Sequence, residues 1–270
     1  MESPLPQRRT LKSRSWRQII MLTLLALFLV PVAARAALFA FEDRPNGWRN
    51  ADWSSIGALP AAAAHPQARV LFLTGRTGGL KGAVAVHSWV VFKRPGARSW
   101  TRYDVVGWGN PVRLNGWAPD GRWYGSAPTV VADIKGAEAE AIIPAVEKAV
   151  KDYRYSNYGD YRLWPGPNSN SFVAAILRDI PEIQATLPPN AIGRDFRPGP
   201  YVGWTDSGTG FEASLYGLLG VKLGWVEGVE FNFGGLVAGF DIRDPALKLP
   251  GFGRVGLLSS TANAALAPSR

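Results

Sequence analysis

The run VAVHSWVVFK at residues 84–93 constrains the fold most, because it is apolar on both faces of any strand it forms. With the two-residue period of a strand, Val84, Val86, Ser88, Val90 and Phe92 share one face, and Ala85, His87, Trp89 and Val91 share the other. Such a strand needs cover on both sides, so it belongs at the centre of a sheet, and His87 goes into the interior with it. ARVLFLT at 68–74 is a second buried strand, and WTRYDVV at 100–106 returns after Pro95-Gly96 as an antiparallel partner. The glycines of 75–82 (GRTGGLKG) suggest a phosphate loop, but Leu80 stands where Gly should precede Lys81, and no Ser or Thr follows it. That segment therefore reads as a connection between strands. The Gly-, Trp-, Asn- and Pro-rich residues 107–128 carry no assignable pattern.

Two further stretches define the helices. Residues 136–152 have helical character, with Pro144 either kinking the helix or opening a second one. Trp164-Pro165-Gly166-Pro167 cannot be helical, so the next helix begins at Asn168 or Ser169 and runs to about Ile180, before Pro181. Its apolar stripe is Phe172, Val173, Ile176, Leu177 and Ile180. Ser169 falls on that side, while Ser171, Ala174 and Arg178 fall away from it. Residues 184–210 are loop-like. From Phe211 onward, segments such as VEFNF at 229–233 alternate as strands, and Gly234-Gly235 marks a hairpin turn. The expected architecture is α+β: a mostly antiparallel sheet packed with a few helices, followed by a strand-rich C-terminal extension packed on that sheet, with a frayed last dozen residues. A single domain over 42–258 fits, with a core at about 68–182 and the extension at about 203–258.

Residues 19–34 (IIMLTLLALFLVPVAA) carry no charge and follow a basic segment, 1–18. This is the pattern of a signal peptide or membrane anchor over 19–38, with Pro31 expected to break its helix. Ala34-Arg35-Ala36 offers small residues at the positions a signal peptidase reads. The apolar residues 36–41 suit retention, with Arg35 snorkelling. Cleaved or retained, the segment sends the body across a membrane with its basic end in the cytoplasm.

Composition narrows the chemistry. The formal charge is +9, but residues 1–36 hold six cations against Glu2, which leaves +4 for the rest and no basic run. Nucleic acid is therefore not an expected partner. Cysteine is absent, which excludes disulfides, thiolate metal sites and a cysteine nucleophile. With two histidines and carboxylates at no ligand spacing, neither a metal nor another cofactor is expected, and the scattered acids Asp43, Asp52, Asp104, Asp160, Asp206 and Glu212 make no glycosidase pair. His65, before Pro66, reads as an exposed loop residue.

What remains is Ser169 with His87. Serine attacks only when a base takes its proton, so a buried imidazole beside a helix-start serine is a sensible pair, and free N–H groups at the helix start suit an oxyanion. Tyr103 or Asp104 on the next strand would orient the imidazole, depending on register. Asn168, Asn170, Trp89 and Trp164 flank the pair as expected substrate-binding residues. The plainer reading is also open: Asn168 or Ser169 caps the helix, and His87 is a satisfied core residue.

The motif 168–173, NSNSFV, resembles the Asn-Cys-x-x-Phe-Val helix start of the circularly permuted papain-like superfamily, which includes lecithin–retinol acyltransferase-like and bacterial amidase-like proteins. In that group a strand histidine precedes the nucleophile, as His87 in VHSWVVF does here. Over residues 45–256 the chain also resembles the bacterial domain of unknown function 3750, through WRNADWSSIGALP at 48–60, the His87 strand, WPGPNSNSF at 164–172 and LKLPGFGRVG at 247–256. The resemblance implies a permuted papain-like core in a bacterial protein; taken with the leader, the expected location is the inner membrane with the body in the periplasm, or the periplasm itself if the leader is cleaved. The resemblance implies either a Ser/His hydrolase or acyl transferase acting on an amide or ester, or a non-catalytic binding or scaffold domain. A membrane-tethered structural protein whose strand-rich tail pairs with a partner is a third reading. Ser169 stands where that superfamily has cysteine, so general-base activation must replace a thiolate.

Overall fold

The computed structural model describes residues 15–256, so the basic residues 1–14 and the expected frayed end lie outside the described residues. Helix α1, Trp16–Ala40, is long and apolar enough to cross a membrane. It runs straight past the position where a break was expected, with Pro31 in its interior. The reason lies in its contacts: Phe28 on one side of Pro31 and Arg35 and Phe39 on the other are buried against the body, which outweighs one lost backbone hydrogen bond. Arg35 does not snorkel; it pairs with Glu42 at 2.8 Å.

The first sheet contains β1 (Arg69–Arg76), β2 (Val86–Lys93), β3 (Thr101–Val105), β4 (Val112–Leu114) and β5 (Thr129–Lys135). Their order is β4-β3-β2-β1-β5, with every neighbouring pair antiparallel. A short 3₁₀ turn, Gly79–Ala83, makes the connection between β1 and β2 that the glycine-rich stretch suggested. Helices α2 (Gly136–Lys151) and α3 (Ser169–Asp179) cover one face, where Phe72, Val90 and Phe92 meet Ile143, Val146, Phe172, Val173 and Ile176. Helix α2 is one continuous helix, not two, because Ala139, Ile143 and Val146 keep a single buried stripe across Pro144. The unassigned residues 107–128 supply the other layer. Trp123, with Trp53 and Trp117, packs on Leu71, Leu73, Trp89 and Val91. Both faces of β1 and β2 are thereby closed, as their two-sided apolar character requires.

A second, separate sheet holds β6 (Pro200–Trp204), β7 (Gly210–Leu215), β8 (Leu219–Gly224), β9 (Gly228–Phe233), β10 (Leu236–Asp241), β11 (Ala246–Leu249) and β12 (Gly253–Gly256), paired in chain order. At the β9–β10 hairpin both Gly234 (φ +63°) and Gly235 (φ +81°) are left-handed, the geometry a two-residue turn of this kind needs. The extension was expected to pack on the first sheet; the side chains of its inward face are charged and meet an intervening segment. Its charged face turns inward, onto the segment 194–197. There Lys222 reaches Asp195 (2.6 Å), Arg197 reaches Glu212 (2.5 Å), Arg194 pairs with Glu230, and Lys248 also reaches Glu230 (2.6 Å). Mutual neutralisation at close range is what makes this burial tolerable.

Candidate functional site

The rigid turn 164–167 delivers the chain to Asn168, which caps α3. Its Oδ1 accepts from the N–H groups of Asn170 (2.9 Å) and Ser171 (3.1 Å), and its Nδ2 donates to the carbonyls of Leu163 and Ile192. Ser171 completes the cap by accepting from the Asn168 N–H at 2.6 Å. Gly193 closes the other side with φ +94°, and a Cβ there would lie 2.3 Å from Asn168 Nδ2. Asn170 fastens the helix to β2: its Nδ2 donates to Val86 O (2.9 Å) and Ile192 O (2.8 Å), and its Oδ1 accepts from Ser88 Oγ at 2.6 Å. Both asparagines, expected as substrate-binding residues, line the cavity but use most of their side-chain hydrogen bonds to hold the helix start in place. Ser171 and Ala174, expected to face away from the core, are buried too, because α3 is enclosed on all sides over its first two turns.

His87 lies on the opposite face of β2 from Ser88. Register places Trp89 opposite Asp104 and Val90 opposite Tyr103. Asp104 therefore shares the His87 face and accepts from His87 Nε2 at 2.9 Å. Tyr103 is on the helix-covered face, its ring stacked near Phe92, and does not orient the imidazole. Asp104 is fully buried and also accepts from Arg102 Nε (2.7 Å) and Nη2 (2.8 Å), while Arg102 Nη1 donates to Ala118 O at 2.6 Å. The guanidinium in turn lies over the Trp89 ring, 4.3 Å from its centroid. Trp89 is fully buried beneath this relay, so its place is support and not substrate contact. Trp123 stacks on the imidazole at 3.6 Å and 3°. Of these partners, Arg102 had a legible signal, two residues before Asp104 on the same strand face. Trp123 lay in the unassigned stretch.

The electrostatics follow from burial and pairing. Burial pushes the His87 pKa below its ordinary value, with Asp104 only partly opposing it, so the imidazole is neutral at neutral pH. Burial raises the Asp104 pKa, but Arg102 and His87 more than offset this and hold it ionised. An ionised Asp104 fixes the tautomer: Nε2 carries the proton, and Nδ1 keeps its lone pair. Among the described residues Nδ1 has no hydrogen-bond partner.

Ser169, 5% exposed, and His87, 6% exposed, line one cavity of about 230 Å³, with Trp123, Tyr124, Tyr161 and Trp164 also in its wall. Trp164 is half-exposed at this cavity, its indole donating to Gly234 O at 2.9 Å. Burial keeps the phenols of Tyr124 and Tyr161 protonated. Ser169 Oγ has no hydrogen-bond partner among the described residues, and no hydrogen bond joins it to His87. The backbone N–H of Ser169 is likewise unpartnered, while those of Asn170 and Ser171 are taken by the cap. The first turn of α3 thus offers one free donor beside one free hydroxyl, at the positive end of a helix. Among the described residues no group of His and carboxylates could hold a metal ion.

Residues 67–196 match the model of a family described as "Protein of unknown function (DUF3750)". The match is narrower than the resemblance read over 45–256. It takes in the first sheet, α2, α3 and every cavity residue named above, and it ends before the second sheet. No curated protein and no solved structure matches the chain.

Proposed function

We propose that the DUF3750-matching core is a Ser/His hydrolase or acyl transferase that cleaves an amide or ester, with Ser169 as nucleophile, His87 as base and Asp104 as the residue that orients it. The observation carrying this reading is the His87–Asp104–Arg102 relay, which leaves the imidazole neutral and Nδ1 unpartnered in a residue that lines the same cavity as Ser169, whose hydroxyl is also unpartnered. In the proposed reaction His87 Nδ1 takes the Ser169 proton as Oγ bonds to the carbonyl carbon. The oxyanion is met by the Ser169 N–H, and the imidazolium returns its proton to the departing amine or alcohol. Water or an acceptor alcohol or amine then releases the acyl group from Ser169. Kinship with permuted papain-like enzymes is part of this proposal and is supported by the order of a strand histidine and a helix-start nucleophile.

A second reading, a binding cleft without turnover, is favoured by the lack of a direct Ser169–His87 hydrogen bond, although such bonds often tighten only when substrate is present. Fluorophosphonate labelling followed by intact-mass measurement separates the two. The hydrolase reading expects one adduct on Ser169 that disappears in His87→Ala. A wild-type protein that stays unlabelled while folded leaves the binding reading. Helix α1 is proposed as the membrane attachment, with the body on the periplasmic side; protease accessibility in spheroplasts tests that side.

A further inference from the structure

The second sheet is built with its polarity reversed. One cross-strand row, Glu212, Lys222, Glu230 and, across Gly239, Lys248, faces the interior, and these four charged side chains are buried. The adjoining row faces out and is apolar across the sheet: Trp204, Phe211, Leu223, Phe240, Leu247 and Val255 are 38–72% exposed, with the half-buried Val229 among them. Val202, Phe231 and Phe233 extend the same face. Side chains of these types present on the order of 1,000 Å² of apolar surface at such exposures, against the few hundred Å² of the largest patch on a typical soluble monomer.

Helix α1 shows what covers this face. It packs against β10 and β11, and its Phe28 ring lies 5.9 Å from that of Phe233. Phe28 is midway along α1, about 18 Å from either end at 1.5 Å per residue. The sheet therefore lies alongside a helix of membrane-crossing length, not beyond its end. We infer that the outward face of the second sheet is a lipid-contact surface, embedded in the bilayer beside the C-terminal half of α1; this rests on the reading of α1 as a membrane segment. Lipid beside α1 at that depth favours an apolar sheet face, and the charged row is then kept on the protein side. The Gly234 carbonyl holds Trp164, so the cavity wall is tied to the hairpin that carries Phe233.

The absence of cysteine permits single-site labels on the full chain. Variants Leu223→Cys and Phe231→Cys report the sheet face, Leu25→Cys reports α1, and Glu140→Cys on the exposed side of α2 serves as the aqueous reference. Each is labelled with an environment-sensitive fluorophore and reconstituted in phosphatidylethanolamine–phosphatidylglycerol vesicles, then quenched by nitroxide-bearing acyl chains or by iodide. The expected result is several-fold stronger lipid quenching at 223, 231 and 25 than at 140, with iodide in the opposite order. Lipid quenching at 25 but not at 223 or 231 overturns the sheet surface and leaves the α1 reading standing. Its absence at 25 defeats both. Protection of 223 and 231 from both quenchers, with energy transfer between labelled copies, overturns the proposal in favour of self-association.

Discussion

Asp104→Asn replaces one oxygen by an NH₂ group at a site where three donors converge on one carboxylate: His87 Nε2 at 2.9 Å and two Arg102 N–H groups at 2.7 and 2.8 Å. An amide offers one accepting oxygen and two donors of its own. An NH₂ in the place of Oδ2 meets Arg102 Nε, donor against donor beside a fully buried cation. In the place of Oδ1 it meets both Arg102 Nη2 and His87 Nε2, and the imidazole must move its proton to Nδ1, which removes the lone pair a base needs. In either orientation Arg102 loses its counter-charge, and breaking a buried pair from one side costs about 3–5 kcal/mol. For a chain of this length that lowers Tm by on the order of 10 °C. Scanning calorimetry and the rate of Ser169 phosphonylation read the two effects separately. A companion variant, Arg102→Met with Asp104→Asn, removes the stranded cation and regains much of the stability, because replacing both members of a buried pair is often near neutral. It does not regain the labelling rate, since nothing then fixes the tautomer. Wild-type labelling in Asp104→Asn, or rates that recover in step with Tm in the double variant, would refute the orienting role.

Other outcomes follow from the same contacts. Because burial lowers the His87 pKa, the acid limb of Ser169 labelling falls below pH 6.5, the ordinary histidine value; a limb at or above 6.5 in a stopped-flow pH series contradicts it. The same depression means the unfolded state takes up the proton first, so this group's contribution to stability is present above about pH 6.5 and is lost as pH falls towards the folded-state value. Gly193→Ala sets a Cβ 2.3 Å from Asn168 Nδ2 at φ +94°, and overpacking the cap there costs about 1–3 kcal/mol, seen as a lower urea midpoint. Lys222→Met removes the cation shared by Asp195 and Glu212, but Arg194 still lies 3.6 Å from Asp195 and Arg197 still pairs with Glu212, so thermal unfolding shows a loss below the about 3–5 kcal/mol of a fully stranded buried charge.

Much of the first sheet was legible in the chain because local signals and burial agree there. The two-sided apolar run of β2 demands a central position, and the 164–167 turn admits a helix only from Asn168 or Ser169. His87 and Ser169 are brought to one cavity by these two elements. The stretch 107–128 was illegible because its tryptophans follow no helical or strand period; they are held by packing on β1 and β2, a matter of tertiary contact. The site's finer features were equally remote from sequence. Asp104 and Tyr103 are neighbours of opposite face, and only the Trp89–Asp104 register selects between them. Asn168 and Asn170 are polar in any reading, but only the fold shows that contacts with Ile192, Val86 and Ser88 make them fasteners of the helix start.

The second sheet marks the boundary most sharply. The alternation of VEFNF determines a strand with one apolar and one polar face, and Gly234-Gly235 determines the hairpin that follows. Neither says which face turns inward, because a period of two is unchanged when the strand is turned over. That choice was decided by partners far away in sequence: the ions of 194–197 on one side and Phe28 of α1 on the other.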